Sequence, residues 1–154
     1  MNFINSSKKN NVKQTTLKNK LFFSGVGIHN GKAVSMSLEP GEPNTGIIFE
    51  RTDIKQNNEI KAVIENIDTT CLCTKIINKY GVSVSTIEHL MATFNGLSID
   101  NVRIKINAPE LPALDGSSHD YTKKILNSGI KYQNHDRKYI RILKKISVVA
   151  NKKF

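Results

Sequence analysis

Residues 34–39 read Val-Ser-Met-Ser-Leu-Glu, apolar and polar side chains in strict alternation, and residues 102–107 repeat the pattern as Val-Arg-Ile-Lys-Ile-Asn. Successive side chains of a strand point to opposite faces, so each segment makes a strand with one buried and one wet face. A sheet built from such strands is apolar on one side only, and that side needs a cover. Short apolar runs around Leu21–Phe23, Gly46–Phe49, Ile60–Ile64 and Thr70–Ile77, punctuated by Gly and Pro, supply further strands, and the β-like pattern begins at Lys13.

The cover is written further along. In STIEHLMATFNGL, residues 85–97, the side chains of Ile87, Leu90, Met91 and Phe94 fall at i, i+3, i+4 and i+7, one apolar stripe on a helix. Ser85 with Glu88 three residues on makes a capping box, and Asn95-Gly96 marks the stop. Pro109 and Pro112 mark a loop. A second helix takes Ser117 as N-cap and Asp120 in its first turn, carries Tyr121, Ile125 and Leu126, and stops at Gly129. Strands gathered early and helices near 86–96 and 117–128 define an α+β fold: a two-layer sandwich, a sheet with two helices on one face.

The 154 residues suffice for one domain and a short extra piece. Residues 1–12, MNFINSSKKNNV, are polar and read as a disordered tail; with no apolar h-region they are not a secretory signal. The α+β domain occupies 13–131. The polar stretch KYQNHDRK that follows Ile130 resembles an interdomain linker, and IRILKKISVV reads as one or two further strands. Residues 132–154 are therefore read as a linker and the first strands of an incomplete second domain. An apolar strand with nothing to pair with is an aggregation liability, so the chain is expected to stop just inside that second domain.

No stretch approaches the roughly 18 consecutive apolar residues of a membrane span, and a cytoplasmic location is expected. The balance of 23 Lys and Arg against 13 Asp and Glu, a formal charge of +10, suits an anionic partner such as a nucleic acid, a membrane surface or a phosphorylated substrate. The basic residues are scattered and lack aromatic interleaving, so no nucleic-acid interface is expected, although a small basic nucleic-acid-binding domain remains the competing reading from another class. Cys71 and Cys73 would close a tiny, strained disulfide ring. A CxC without a second pair is also a poor metal motif, so both read as reduced thiols, structural or lining a pocket.

Two motifs carry candidate chemistry. In SGVGIHNG, residues 24–31, Gly25 and Gly27 suggest a phosphate loop, but position 30 is Asn where GxGxxG needs its third glycine, and no βαβ helix follows. The segment is either a glycine-bearing turn between strands or a site loop carrying His29. Glu88-His89, at the start of the first helix, places a carboxylate beside an imidazole, a pairing that can hold a metal and a water-activating base together. The bland alternative is a capping glutamate next to an ordinary histidine. No HxxxH or HxxxD pair occurs in the chain, so a tetrahedral zinc site would be incomplete.

Several stretches resemble the UDP-3-O-acyl-N-acetylglucosamine deacetylases, the zinc-dependent enzymes of lipid A biosynthesis, in the family's order and spacing. These are QTTLKNKLFFSGVGIHNGK at 14–32, EPGEPNTGIIFERTD at 39–53, VSTIEHLMATFNGLSIDNVRIKINAPELPALDGSSHDY at 84–121, and YIRILKKISV, which is similar to the opening of that family's second domain. The resemblance implies the first of two similar α+β domains facing each other across an active site. It implies His89 as a zinc ligand and Glu88 as the general base that activates water. His29 matches a histidine of the substrate-site loop, and Cys71, Leu72 and Cys73 occupy the segment lining the substrate region. Asp115, in LDGS, matches a motif whose role reads as structural, a turn and helix cap. The family's other two zinc ligands, in a His-x-x-x-Asp helix, and a further catalytic histidine belong to the second domain and are absent here. The expected partners are UDP-3-O-acyl-N-acetylglucosamine and that second domain. The isolated chain is expected to be inactive, and a non-catalytic remnant of the same ancestry stands as the alternative.

Overall fold

The computed structural model describes residues 12–69, 71–139 and 143–147. Among the described residues ten strands and two α-helices follow one another: β1 (Lys13–Leu17), β2 (Leu21–Val26), β3 (Ala33–Pro40), β4 (Ile47–Arg51), β5 (Glu59–Lys61), β6 (Ile67–Thr69), β7 (Lys75–Ile77), β8 (Ser83–Val84), α1 (Glu88–Gly96), β9 (Val102–Ile106), α2 (His119–Ser128) and β10 (Ile130–Asp136). The main sheet has the order β2-β3-β9-β4-β5, with β4 and β9 parallel and the other neighbours antiparallel. Three short strands, β6-β7-β8, form a second sheet, and β1 pairs with β10 as a two-stranded ribbon.

The alternation read from the sequence sets the layers. Val34, Met36 and Leu38 of β3 and Val102, Ile104 and Ile106 of β9 are buried in one core with Leu90 and Phe94 of α1 and Tyr121 and Ile125 of α2. Both helices thus lie on one face of the sheet. The opposite face is laced with charge: Glu39 pairs with Lys20 at 2.6 Å and Lys105 at 3.4 Å, and Arg103 pairs with Glu50 at 3.1 Å and Glu59 at 2.5 Å. Partly exposed pairs of this kind add little stability; they keep that face wet.

The helix ends differ in detail from the expected signals. Ser85 and Glu88 form no capping box. The Ser85 hydroxyl donates to Pro109 O at 3.2 Å, and the Glu88 carboxylate accepts the Thr74 N–H at 2.9 Å, so both side chains tie α1 to neighbouring segments instead of to its own backbone. At α2 the Ser117 hydroxyl accepts the His119 N–H at 3.0 Å, and Asp115 accepts the Ser117 N–H and hydroxyl at 3.1 and 2.7 Å, a turn and cap in series. Gly129, at φ 92°, ends α2.

Two segments depart from the sequence reading. The strand expected over Thr70–Ile77 begins only at Lys75, because residues 71–73 bend and Leu72 takes φ 64°. The segment KYQNHD, read as linker, is the body of β10. It lacks apolar alternation because its inward side chain works by hydrogen bonding: Gln133 accepts from the buried Asn101 amide at 2.7 Å and donates to Gly41 O at 2.8 Å. Asn101 also donates to Gln14 at 2.9 Å and accepts from Gly46 N–H at 2.9 Å. Residues 1–11, where the tail was expected, lie outside the described residues, as do 140–142 and 148–154; residues 143–147 are exposed and carry no strand.

Candidate functional site

The chain approaches α1 through a strained step. Thr86, buried and at φ 58°, is β-branched, a residue type for which a left-handed backbone is a true outlier. Its neighbour Ser85 is held by the 109–111 segment, with Ser85 N–H donating to Pro109 O at 2.9 Å and Leu111 N–H donating to Ser85 O at 3.1 Å. This strip delivers Glu110 beneath the β2–β3 turn with its side chain 2% exposed.

Four donors converge on the Glu110 carboxylate. Its Oε1 accepts the His29 N–H at 3.0 Å, the His29 Nδ1 at 2.7 Å and the Thr86 hydroxyl at 2.9 Å, while Oε2 accepts the Asn30 N–H at 3.1 Å. Burial pushes the Glu110 carboxyl up, but the donors from His29, Thr86 and Asn30 outweigh it and hold the group below the ordinary glutamate value. Gly27 gives the carboxylate its room, since a Cβ there would sit 2.6 Å from Glu110 Oε2. Gly27, one of the glycines that suggest a phosphate loop, therefore makes room for a carboxylate of the chain itself.

Glu88 and His89 open α1, both half-buried, about 100° apart around the helix axis. Thr74 links them to the preceding segment: its N–H donates to Glu88 Oε2, and its carbonyl accepts the Ile87 N–H at 3.4 Å. The bend holding Cys71, Leu72 and Cys73 thus leads directly into the residue that grips Glu88. Cys71 and Leu72 are exposed, Cys73 is half-buried, and both thiols are free. The His89 imidazole has no hydrogen-bond partner among the described residues. All six residues singled out in the sequence hence belong to one neighbourhood around the start of α1, His29 through Thr86 and the 71–73 bend through Thr74.

Glu110 and Thr86 were not anticipated, and Gly27 drew notice only through a phosphate-loop pattern that fails at position 30. The available signal was a lone acid in an apolar setting, Ala108-Pro109-Glu110-Leu111-Pro112, where a carboxylate pulled into the core needs donors waiting for it.

Among the described residues one group of three ligating side chains, Asp115, His119 and Asp120, has its donor atoms within 4.8 Å of one another. All three are exposed, and Asp115 is already engaged in the α2 cap. A cleft of about 820 Å³ lies away from the α1 start, on the seam between α2 and the β2–β3 edge, lined by Phe22, Ser24, Ser37, Lys105, Lys123 and Lys124. No helix among the described residues is long and apolar enough to cross a membrane.

The α+β sandwich thus presents a carboxylate and an imidazole, Glu88 and His89, at the start of α1, with a second imidazole, His29, braced by Glu110 nearby. Residues 14–154 match the family described as LpxC, UDP-3-O-acyl N-acetylglycosamine deacetylase. The chain is 42% identical over 137 residues to the UDP-3-O-acyl-N-acetylglucosamine deacetylase of Haemophilus influenzae (strain PittEE), covering 89% of this chain and 45% of that protein. It is 41% identical over 143 residues to that of Blochmanniella pennsylvanica (93% and 48%) and 43% identical over 137 residues to that of Pasteurella multocida (89% and 45%). The chain belongs to the UDP-3-O-acyl-N-acetylglucosamine deacetylase family. It spans about half the length of the curated relatives it matches.

Proposed function

We propose that this chain forms one wall of a zinc-dependent amide hydrolase that removes the N-acetyl group from UDP-3-O-acyl-N-acetylglucosamine in lipid A biosynthesis. The observation that carries the reading is the gathering of Glu88, His89, His29 and the 71–73 bend at one helix start in a chain of this family. The residues suit the metal: His89 is half-buried with its imidazole unengaged among the described residues, and Glu88 uses one carboxylate oxygen on Thr74 N–H and keeps the other for chemistry. One imidazole is too few, since catalytic zinc takes three protein ligands. The remaining ligands belong, on this reading, to the half of the relatives that this chain does not span.

Bound zinc supplies Lewis acidity toward the amide carbonyl and toward water. Glu88 accepts a proton from the attacking water and returns it to the departing amine, so that water and the N-acetyl amide become acetate and a free amino group. The Thr74 hydrogen bond fixes the Glu88 carboxylate without consuming both oxygens. His29 offers its ring to the substrate, and Cys71, Leu72 and Cys73 border its approach. A substrate carrying a nucleotide diphosphate agrees with a basic chain, and reduced thiols at Cys71 and Cys73 agree with a cytoplasmic setting.

The test is deacetylation of UDP-3-O-acyl-N-acetylglucosamine with zinc, by the 154-residue chain alone and mixed with the second half of a relative. The expected result is turnover in the mixture only, abolished by His89→Ala. Turnover by the chain alone that survives both chelation and His89→Ala would overturn the site. Docking of the two halves without any turnover would favour a non-catalytic remnant.

A further inference from the structure

We propose that Glu110 is the positioning residue for His29: a buried carboxylate that fixes the imidazole as the Nδ1–H tautomer and turns Nε2 toward the substrate. The inference rests on the reading of His29 as a substrate-facing group. The geometry has three parts. The Nδ1 of His29 lies 2.7 Å from Glu110 Oε1, a charge-assisted distance, and a carboxylate can only accept there, so Nδ1 carries the hydrogen. The ring itself is 41% exposed whereas Glu110 is 2% exposed, so the free nitrogen lies on the open side. The same carboxylate also receives the backbone N–H groups of His29 and Asn30, which fixes the turn together with the ring it carries.

Two further residues fit this arrangement. Gly27 has no side chain because a Cβ would meet the carboxylate at 2.6 Å. Thr86 tolerates φ 58° while its hydroxyl donates to the same Oε1 at 2.9 Å, so the strained step into α1 and the imidazole share one anchor. Orientation of a histidine by a carboxylate on its far nitrogen sets both tautomer and aim. Glu110 touches His29 and not the reacting atoms, so its effect on turnover passes through the ring.

The primary measurement is the His29 tautomer in the 154-residue chain, read from long-range proton–nitrogen NMR correlations. The wild-type ring is expected to be a single Nδ1–H form. In Glu110→Gln one amide oxygen must serve four donors, and the ring is expected to become a mixture of tautomers. Gly27→Ala keeps Glu110 but displaces its carboxylate, and should give the same mixture; it stands in should the first variant fold poorly. A wild-type ring protonated on Nε2, or a single Nδ1–H form in both folded variants, would overturn the proposal. In the two-half mixture, Glu110→Gln should lower kcat/KM by about 10–100-fold, and combining it with His29→Ala should add nothing to the larger single effect. Fully additive losses would also overturn it. If no mixture turns over at all, the deacetylase reading falls, while the tautomer result still decides the role of Glu110.

Discussion

Glu88→Gln separates positioning from chemistry at a single residue. The amide oxygen can still accept the Thr74 N–H, so the bend and the helix start stay in place, but the proton acceptor is gone. In the two-half mixture kcat should fall by about 10²–10⁴-fold with the melting temperature of the chain unmoved. An equal loss from an amide-to-ester replacement at Thr74, which removes the N–H donor and keeps the side chain, would show that anchoring accounts for the effect. Glu110 makes a different statement, about acid. Its folded carboxyl titrates below the ordinary value of 4.5, so the ion stabilises the fold fully above that pH, and the contribution fades as pH falls through the folded value. Denaturant midpoints measured downward from pH 5.5 should therefore decline more steeply for wild type than for Glu110→Gln. Parallel curves would mean that Glu110 contributes nothing to acid sensitivity.

At the scale of elements, hydrogen bonds made by polar side chains decide what periodicity does not. The strands at 33–40 and 102–106 and both helices were legible because each has one apolar face, and period two or 3.6 is the trace such a face leaves. Glu88, His89, His29 and Cys71–Cys73 were named as candidates through resemblance, not through spacing. What stayed hidden is buried polar structure. Ser85 and Glu88 spell a capping box, yet both bond elsewhere, because a partner distant in sequence leaves no local signal. Glu110 escaped for the same reason, its donors lying 24 residues upstream at Thr86 and 80 and 81 residues upstream at Asn30 and His29. β10 was hidden because, beyond Ile130, its inner side is filled by the Gln133 amide and not by an aliphatic group. Asn101 is the centre of that cluster. Asn101→Ala would leave Gln14, Gln133 and Gly46 N–H short of partners, and should cost about 2–4 kcal/mol, read from chemical denaturation, with faster amide exchange concentrated in β1 and β10. Tyr121→Phe tests a milder case. Its buried hydroxyl donates to Pro112 O at 2.8 Å, beside the strip that carries Glu110, and its loss should cost about 1 kcal/mol.

For the whole molecule, the formal charge of +10 is the property most open to misreading. On the outer sheet face the basic groups Lys20, Lys105 and Arg103 are matched by Glu39, Glu50 and Glu59. Nucleic acid should therefore bind weakly and without sequence preference, and release as salt rises from 50 to 200 mM; retention at the higher salt would reinstate a nucleic-acid role. A separate consequence follows from the ribbon of β1 and β10. Lys13 lies opposite Asp136 and pairs with it at 2.7 Å, and Arg137 N–H donates to Val12 O at 2.8 Å, so the described strands β1 and β10 bring residues 12 and 137 to one corner. That corner also receives Ser98, just beyond the far end of α1, a nine-residue helix about 13 Å long that starts at Glu88. A module with its two ends side by side is a cassette: it can be spliced into another chain, or cut and rejoined elsewhere, without crossing its own core. A circular permutant joining residue 137 to residue 12 through a few glycines, and opened at the exposed turn around Gly81, should keep the fold and the His29–Glu110 contact intact.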